Sequence, residues 1–90
     1  MESTKTSPAQ KPRVIIYSRP SCHLCDEVKK VIQAFGFNEE YTLEEINIES
    51  DPDLLERYRY DIPVITINGV EAFRHRLTLD EFKKKLREAG

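Results

Sequence analysis

The stretch Val14-Ile15-Ile16-Tyr17-Ser18-Arg19-Pro20-Ser21-Cys22-His23-Leu24-Cys25 decides how the rest of this sequence is read. Val14 to Tyr17 is a continuous β-favouring run, the pattern of a strand covered on both faces and therefore central in a sheet. The polar turn Ser18-Arg19-Pro20-Ser21 ends that run and leads into a helix from about Cys22 to Phe35. Cys25, Val28, Val31, Ile32 and Phe35 recur there at three- and four-residue spacings, and Gly36 fits as the stop. Two cysteines thus fall at the junction of a buried strand and the start of a helix, three positions apart.

Working outward, residues 1–12 are polar, contain Pro8 and Pro12 and follow neither periodicity, so they are expected to form a flexible tail before a single domain at residues 13–90. On the other side, Thr42 to Ile48 reads as a strand with Ile46 and Ile48 on one side and Glu45 and Asn47 on the other. Leu43 breaks the alternation, and the polar face suggests an edge. Ser50 or Asp51 as N-cap with Pro52 at the first position begins a short helix, whose buried stripe is expected to be Leu54, Leu55 and Tyr58. Asp61-Ile62-Pro63 opens a strand over Val64 to Ile67, and Asn68-Gly69 turns it back into an antiparallel strand over Val70 to Phe73. Thr78-Leu79-Asp80-Glu81 is a capping box, flanked by Leu77 and Phe82 as a hydrophobic staple. The last helix turns Leu79, Phe82, Leu86 and Ala89 inward and Lys83, Lys84, Lys85 and Arg87 outward. The order β-α-β-α-β-β-α, with right-handed crossovers, predicts an α/β fold: a four-stranded mixed sheet with helices on both faces.

Composition bounds the function. Ninety residues with 39% hydrophobic and 33% charged side chains make one soluble domain, and a formal net charge of −2 exerts no long-range pull on nucleic acid or anionic membranes. The basic cluster of the last helix lacks interleaved aromatic residues for stacking bases, so it reads as a solvated face that complements the helix dipole. Val14–Tyr17, the longest apolar run, is too short to span a bilayer, and the N-terminus has no secretory h-region; a cytoplasmic location is expected.

The chemistry expected of the cysteines follows from their position. Unpaired N–H groups and the dipole at a helix start favour an anion, and a thiolate is the species that attacks a disulfide. Cys22 is therefore expected to attack and Cys25, on the same helical face within disulfide reach, to resolve. Protonated His23 beside Cys22 would stabilise the thiolate further, while Asp26 and Glu27 oppose it. A structural disulfide explains the pair poorly, because so short a loop constrains the unfolded chain little. A non-enzymatic metal or iron–sulfur carrier is the alternative. It needs ligands beyond Cys22, Cys25 and His23, from distant His75, a second chain or glutathione.

Tyr17-Ser18-Arg19-Pro20-Ser21-Cys22-x-x-Cys25, Ile62-Pro63 and Ile67-Asn68-Gly69 together resemble a glutaredoxin, of the thioredoxin-like superfold, from about Arg13 to Ala89. The resemblance implies a thiol–disulfide oxidoreductase. It implies a cis peptide at Pro63 packed opposite Cys22, an Ile62 backbone that hydrogen-bonds a bound thiol substrate, and Arg19 as a contact for a glutathione carboxylate. No tightly bound cofactor is expected. Partners are a disulfide-containing protein or glutathione, with glutathione or a thioredoxin-reductase-like protein as donor, and a monomer is expected. The sequence departs from the family in two places. His23-Leu24 replaces the usual Pro-Tyr, and Phe73-Arg74-His75-Arg76-Leu77 stands where a Gly-Gly pair and an acidic residue usually hold glutathione; Arg74 or Arg76 could supply replacement contacts.

Overall fold

The computed structural model describes residues 11–35 and 41–89. The expected tail through residue 10 and the stop at Gly36 lie outside the described residues, as does the side chain of Phe35. The elements run β1 (Arg13–Ser18), α1 (His23–Phe35), β2 (Thr42–Asn47), a 3-10 turn (Ile48–Ser50), α2 (Pro52–Tyr58), β3 (Val64–Ile67), β4 (Val70–Arg74) and α3 (Leu79–Ala89). They form a four-stranded sheet in the order β2-β1-β3-β4. β1 runs parallel to β2 and antiparallel to β3, and β3 runs antiparallel to β4. This is the α/β arrangement the element order predicts, because a parallel β1–β2 pair needs a helical crossover while the antiparallel β3–β4 pair can close through a two-residue turn.

The turn does so at Asn68 and Gly69, both at positive φ (53° and 83°), as a two-residue hairpin loop whose twist matches its strands requires. Alternation along β1 divides the interior. Val14 and Ile16 join Val28 and Ile32 of α1, Ile65 and Ile67 of β3, and Phe82 and Leu86 of α3 in one buried cluster. On the opposite face Tyr17 meets Tyr58 of α2, with ring centroids 4.9 Å apart. Leu77 and Phe82, the staple pair, are both buried, and Thr78 Oγ1 accepts from the Glu81 N–H at 3.2 Å.

The structure departs from the sequence reading in four places. Pro12, assigned to the tail by composition, is buried, and its carbonyl accepts from the Thr42 N–H at 2.9 Å, extending the β1–β2 ladder by one residue. The intended stripe of α2 is only half-buried: Leu54, Leu55 and Tyr58 all retain intermediate exposure. A seven-residue helix capped by Asp51 has too little length to cover its own apolar face. Ala89 is exposed, three residues beyond Leu86, the last buried residue of α3. Tyr41, absent from the expected core, is buried, with its hydroxyl donating to the Ile32 carbonyl at 2.9 Å. β2 is an edge strand, as its polar face predicts.

Candidate active site

β1 ends at Ser18, and the chain turns through Ser21, which adopts a positive φ of 63°, before entering α1. Cys22 is the N-cap of that helix: its carbonyl accepts the first helical bond from Asp26 N–H at 3.2 Å, and its sulfur accepts from the Cys25 N–H at 3.1 Å. The sulfur thus occupies the place where a serine or aspartate oxygen normally caps a helix. The two cysteines form a disulfide with a Cα–Cα separation of 5.2 Å, inside the ordinary bonding range. They differ in access. Cys22 is half-buried, whereas Cys25 faces the core at 2% exposure. Cys22 is the more accessible of the two.

His23 projects outward with its side chain 91% exposed and Nε2 3.6 Å from Glu27 Oε2, one helical turn on. Its ionic partner is therefore a carboxylate. Arg19 pairs with Glu49 of the 3-10 turn, Nη2 to Oε2 at 2.8 Å. Ile62 and Pro63 form a cis peptide immediately before β3, as the resemblance implied. The β1–β3 register ends at Tyr17 opposite Val64, so the cis peptide lies at the end of the sheet from which the Cys22 loop departs.

The stretch in place of the expected glycines lies at this same end, since Val64 pairs with Arg74. His75 N–H donates to the Pro63 carbonyl at 2.8 Å, and its Nε2 lies 3.3 Å from the Tyr60 carbonyl. Its φ is 70°. The left-handed conformation natural to glycine is thus retained by a residue whose Cβ disfavours it. Arg74 is held by Glu71 and, at 3.3 Å, by Asp61. Both pairs are partly exposed, as is that of Arg19 with Glu49.

One cluster near the cysteines escaped the sequence reading. Glu45 of β2 accepts from Ser18 Oγ at 2.8 Å and lies 3.1 Å from Lys29 Nζ, which is also 3.6 Å from Asp26. Hydrogen bonding to Glu45 holds Lys29 above the usual lysine range. These residues, with Arg19, Pro20, Ser21 and Asn47, line a cleft of about 350 Å³ beside the Cys22 loop. The i,i+3 spacing of Asp26 and Lys29 on α1 is the sequence signal for it. Among the described residues no three His, Cys, Asp or Glu side chains gather where a metal ion could be held, and no helix is long and apolar enough to cross a membrane.

A mixed sheet in this strand order, with a disulfide at the β1–α1 junction and a cis-proline before the hairpin, defines a thioredoxin-fold domain with a redox-type cysteine pair. The chain belongs to the glutaredoxin-like family: the family model described as Glutaredoxin-like domain (DUF836) matches residues 13–87. It is 32% identical over 72 residues to the glutaredoxin-like protein YDR286C homolog of Dictyostelium discoideum, covering 72% of this chain and 66% of that relative, just under two thirds of its length. Among solved structures, protein XcR50 from X. campestris superimposes with a TM-score of 0.68 at 25% identity, over 86% of this chain and 99% of that one. Chloroplastic thioredoxin z shares the fold with a TM-score of 0.70 at 15% identity, over 88% of this chain and 78% of its own.

Proposed function

We propose that this chain is a thiol–disulfide oxidoreductase that reduces protein or glutathione mixed disulfides through Cys22 and Cys25. The observation that carries the reading is the asymmetry of the pair: an accessible Cys22 sulfur that accepts the Cys25 N–H at 3.1 Å, and a Cys25 sulfur turned to the core. In the reduced protein that N–H and the other free amides of the first turn of α1 favour the thiolate at Cys22.

The Cys22 thiolate attacks one sulfur of the substrate disulfide, the other sulfur leaves as a thiolate and takes a proton, and a mixed disulfide forms. Cys25 gives up its proton and attacks Cys22 Sγ, releasing the second substrate thiol. Two electrons pass to the substrate and the Cys22–Cys25 disulfide results. Two molecules of glutathione, or a dithiol carrier protein, return the pair to the reduced state. Arg19, Ile62 and Pro63 border the substrate in this reading, the Ile62 backbone hydrogen-bonding an extended thiol segment. His23 tunes the potential from outside, its effect weakened by Glu27.

The test is reduction of a glutathione mixed disulfide with glutathione as sole donor, beside the same reaction driven by thioredoxin and its reductase. Turnover with either, abolished by Cys22→Ser, supports the reading; inactivity with both sinks it.

A further inference from the structure

We infer that a groove lined by Arg19, of the loop that leads to Cys22, and by Leu55, Arg59 and Tyr60 selects polypeptide disulfides whose half-cystine is flanked by carboxylates; this rests on the oxidoreductase reading of the cysteine pair. The groove encloses about 310 Å³. Arg19 stands three residues before Cys22, in the loop between β1 and α1, so the groove borders the loop that leads to the nucleophile.

Two guanidinium groups and no carboxylate line it. Arg19 is matched by Glu49, but that pair is about 40% exposed on both sides, the kind of surface contact a ligand carboxylate exchanges with easily. Arg59 has no ion pair among the described residues. Its guanidinium lies 5.8 Å from the ring centroid of Tyr60, a contact that orients the cation without neutralising it. The nearby Asp61 is engaged by Arg74, and the opposing charges on α2 are the exposed carboxylates of Asp53, in its first turn, and Glu56.

Tyr60 is 83% exposed, the most exposed large apolar residue described, yet its carbonyl lies 3.3 Å from His75 Nε2. A ring presented to solvent on an anchored backbone, with a cation over it, suits a segment that offers a carboxylate next to an apolar contact. The position of Arg59 as the C-cap of α2 also suits the helix dipole, but the dipole gives no reason for the exposed ring beside it.

The test uses pre-reduced full-length protein in single turnover, so that the two electrons come from Cys22 and Cys25 and no other reductant is present. Symmetric disulfide dimers of two peptides are compared, identical except that aspartates flank the half-cystine in one and asparagines in the other. The aspartate peptide should react about three- to tenfold faster, the range a few partly exposed charge contacts supply, and the ratio should fall with added salt. Arg59→Glu should bring the ratio below one. A ratio of one in the wild type, or one unmoved by Arg59→Glu, overturns the inference while leaving the oxidoreductase reading intact. Loss of reactivity in Arg59→Glu toward oxidised glutathione alone would assign the groove to a free tripeptide and overturn it too. No reaction with any disulfide would remove the reading on which it rests.

Discussion

Arg19 Nη2 and Glu49 Oε2 lie 2.8 Å apart, joining the loop before Cys22 to the 3-10 turn after β2. A ligand carboxylate that uses Arg19 must displace Glu49. Because the pair is partly exposed, the displacement costs no more than about 1 kcal/mol. Glu49→Gln should therefore lower the KM for a glutathione mixed disulfide by up to about fivefold, and Arg19→Ala should raise it by a similar factor. Steady-state kinetics on both variants checks this, and equal KM values in all three proteins would exclude Arg19 from substrate binding.

The N–H of Cys25 directed at Cys22 Sγ makes the two sulfurs inequivalent, and on the proposed reading they take different roles. In the reduced protein, alkylation should occur first at Cys22, with a pH midpoint below the value of about 8.5 of an ordinary cysteine. Cys25→Ser should accumulate a mixed disulfide at Cys22 that mass spectrometry can locate. Trapping at Cys25 in Cys22→Ser instead would reverse the roles.

Tyr41 ties the start of β2 to α1 through its hydroxyl on the Ile32 carbonyl and meets Phe82 edge-on, with ring centroids 5.5 Å apart. Tyr41→Phe keeps the ring and loses the hydrogen bond, and should cost about 1 kcal/mol in urea unfolding. Burial also pushes the Tyr41 hydroxyl above the usual tyrosine range. A group whose folded value is raised contributes stability that is whole below its unfolded value and is lost as pH climbs through the folded one. The cost of Tyr41→Phe should accordingly shrink above about pH 10, and a constant difference up to strongly alkaline pH would refute the assignment.

Glu71 shows the opposite sign. Hydrogen bonding from Arg74 holds its carboxyl below the ordinary range, so its contribution is present above the unfolded value and disappears as pH falls through the folded one. Glu71→Gln should destabilise slightly at neutral pH and less at strongly acid pH, as the carboxyl takes up its proton. Thermal melts at the two pH values read the difference. A larger loss at acid pH would contradict the pairing.

Most of the fold was legible because its signals are local. Asn68-Gly69 specifies its hairpin by backbone conformation alone, Asp51-Pro52 and Thr78-x-x-Glu81 cap their helices within one turn, and the run from Val14 to Tyr17 can satisfy its hydrophobicity only between two covering layers. The cysteine pair was legible for the same reason: a strand end followed by a helix start fixes where both sulfurs sit.

What the sequence by itself determined was therefore the four strands and three α-helices, their order and the place of the two cysteines, but not the 3-10 turn at Ile48–Ser50. Tertiary structure alone decided the surroundings of those sulfurs: that Arg19 meets Glu49 thirty positions away, that Ser18 and Lys29 converge on Glu45, that His75 holds the carbonyl of Pro63, and that Tyr41 is buried while the stripe of α2 is not. Each of these contacts joins residues far apart in the chain. Spacing and capping rules act across one turn or one hairpin, so such contacts are settled only when the sheet has brought its strand ends together and the longer helices have taken the available apolar surface.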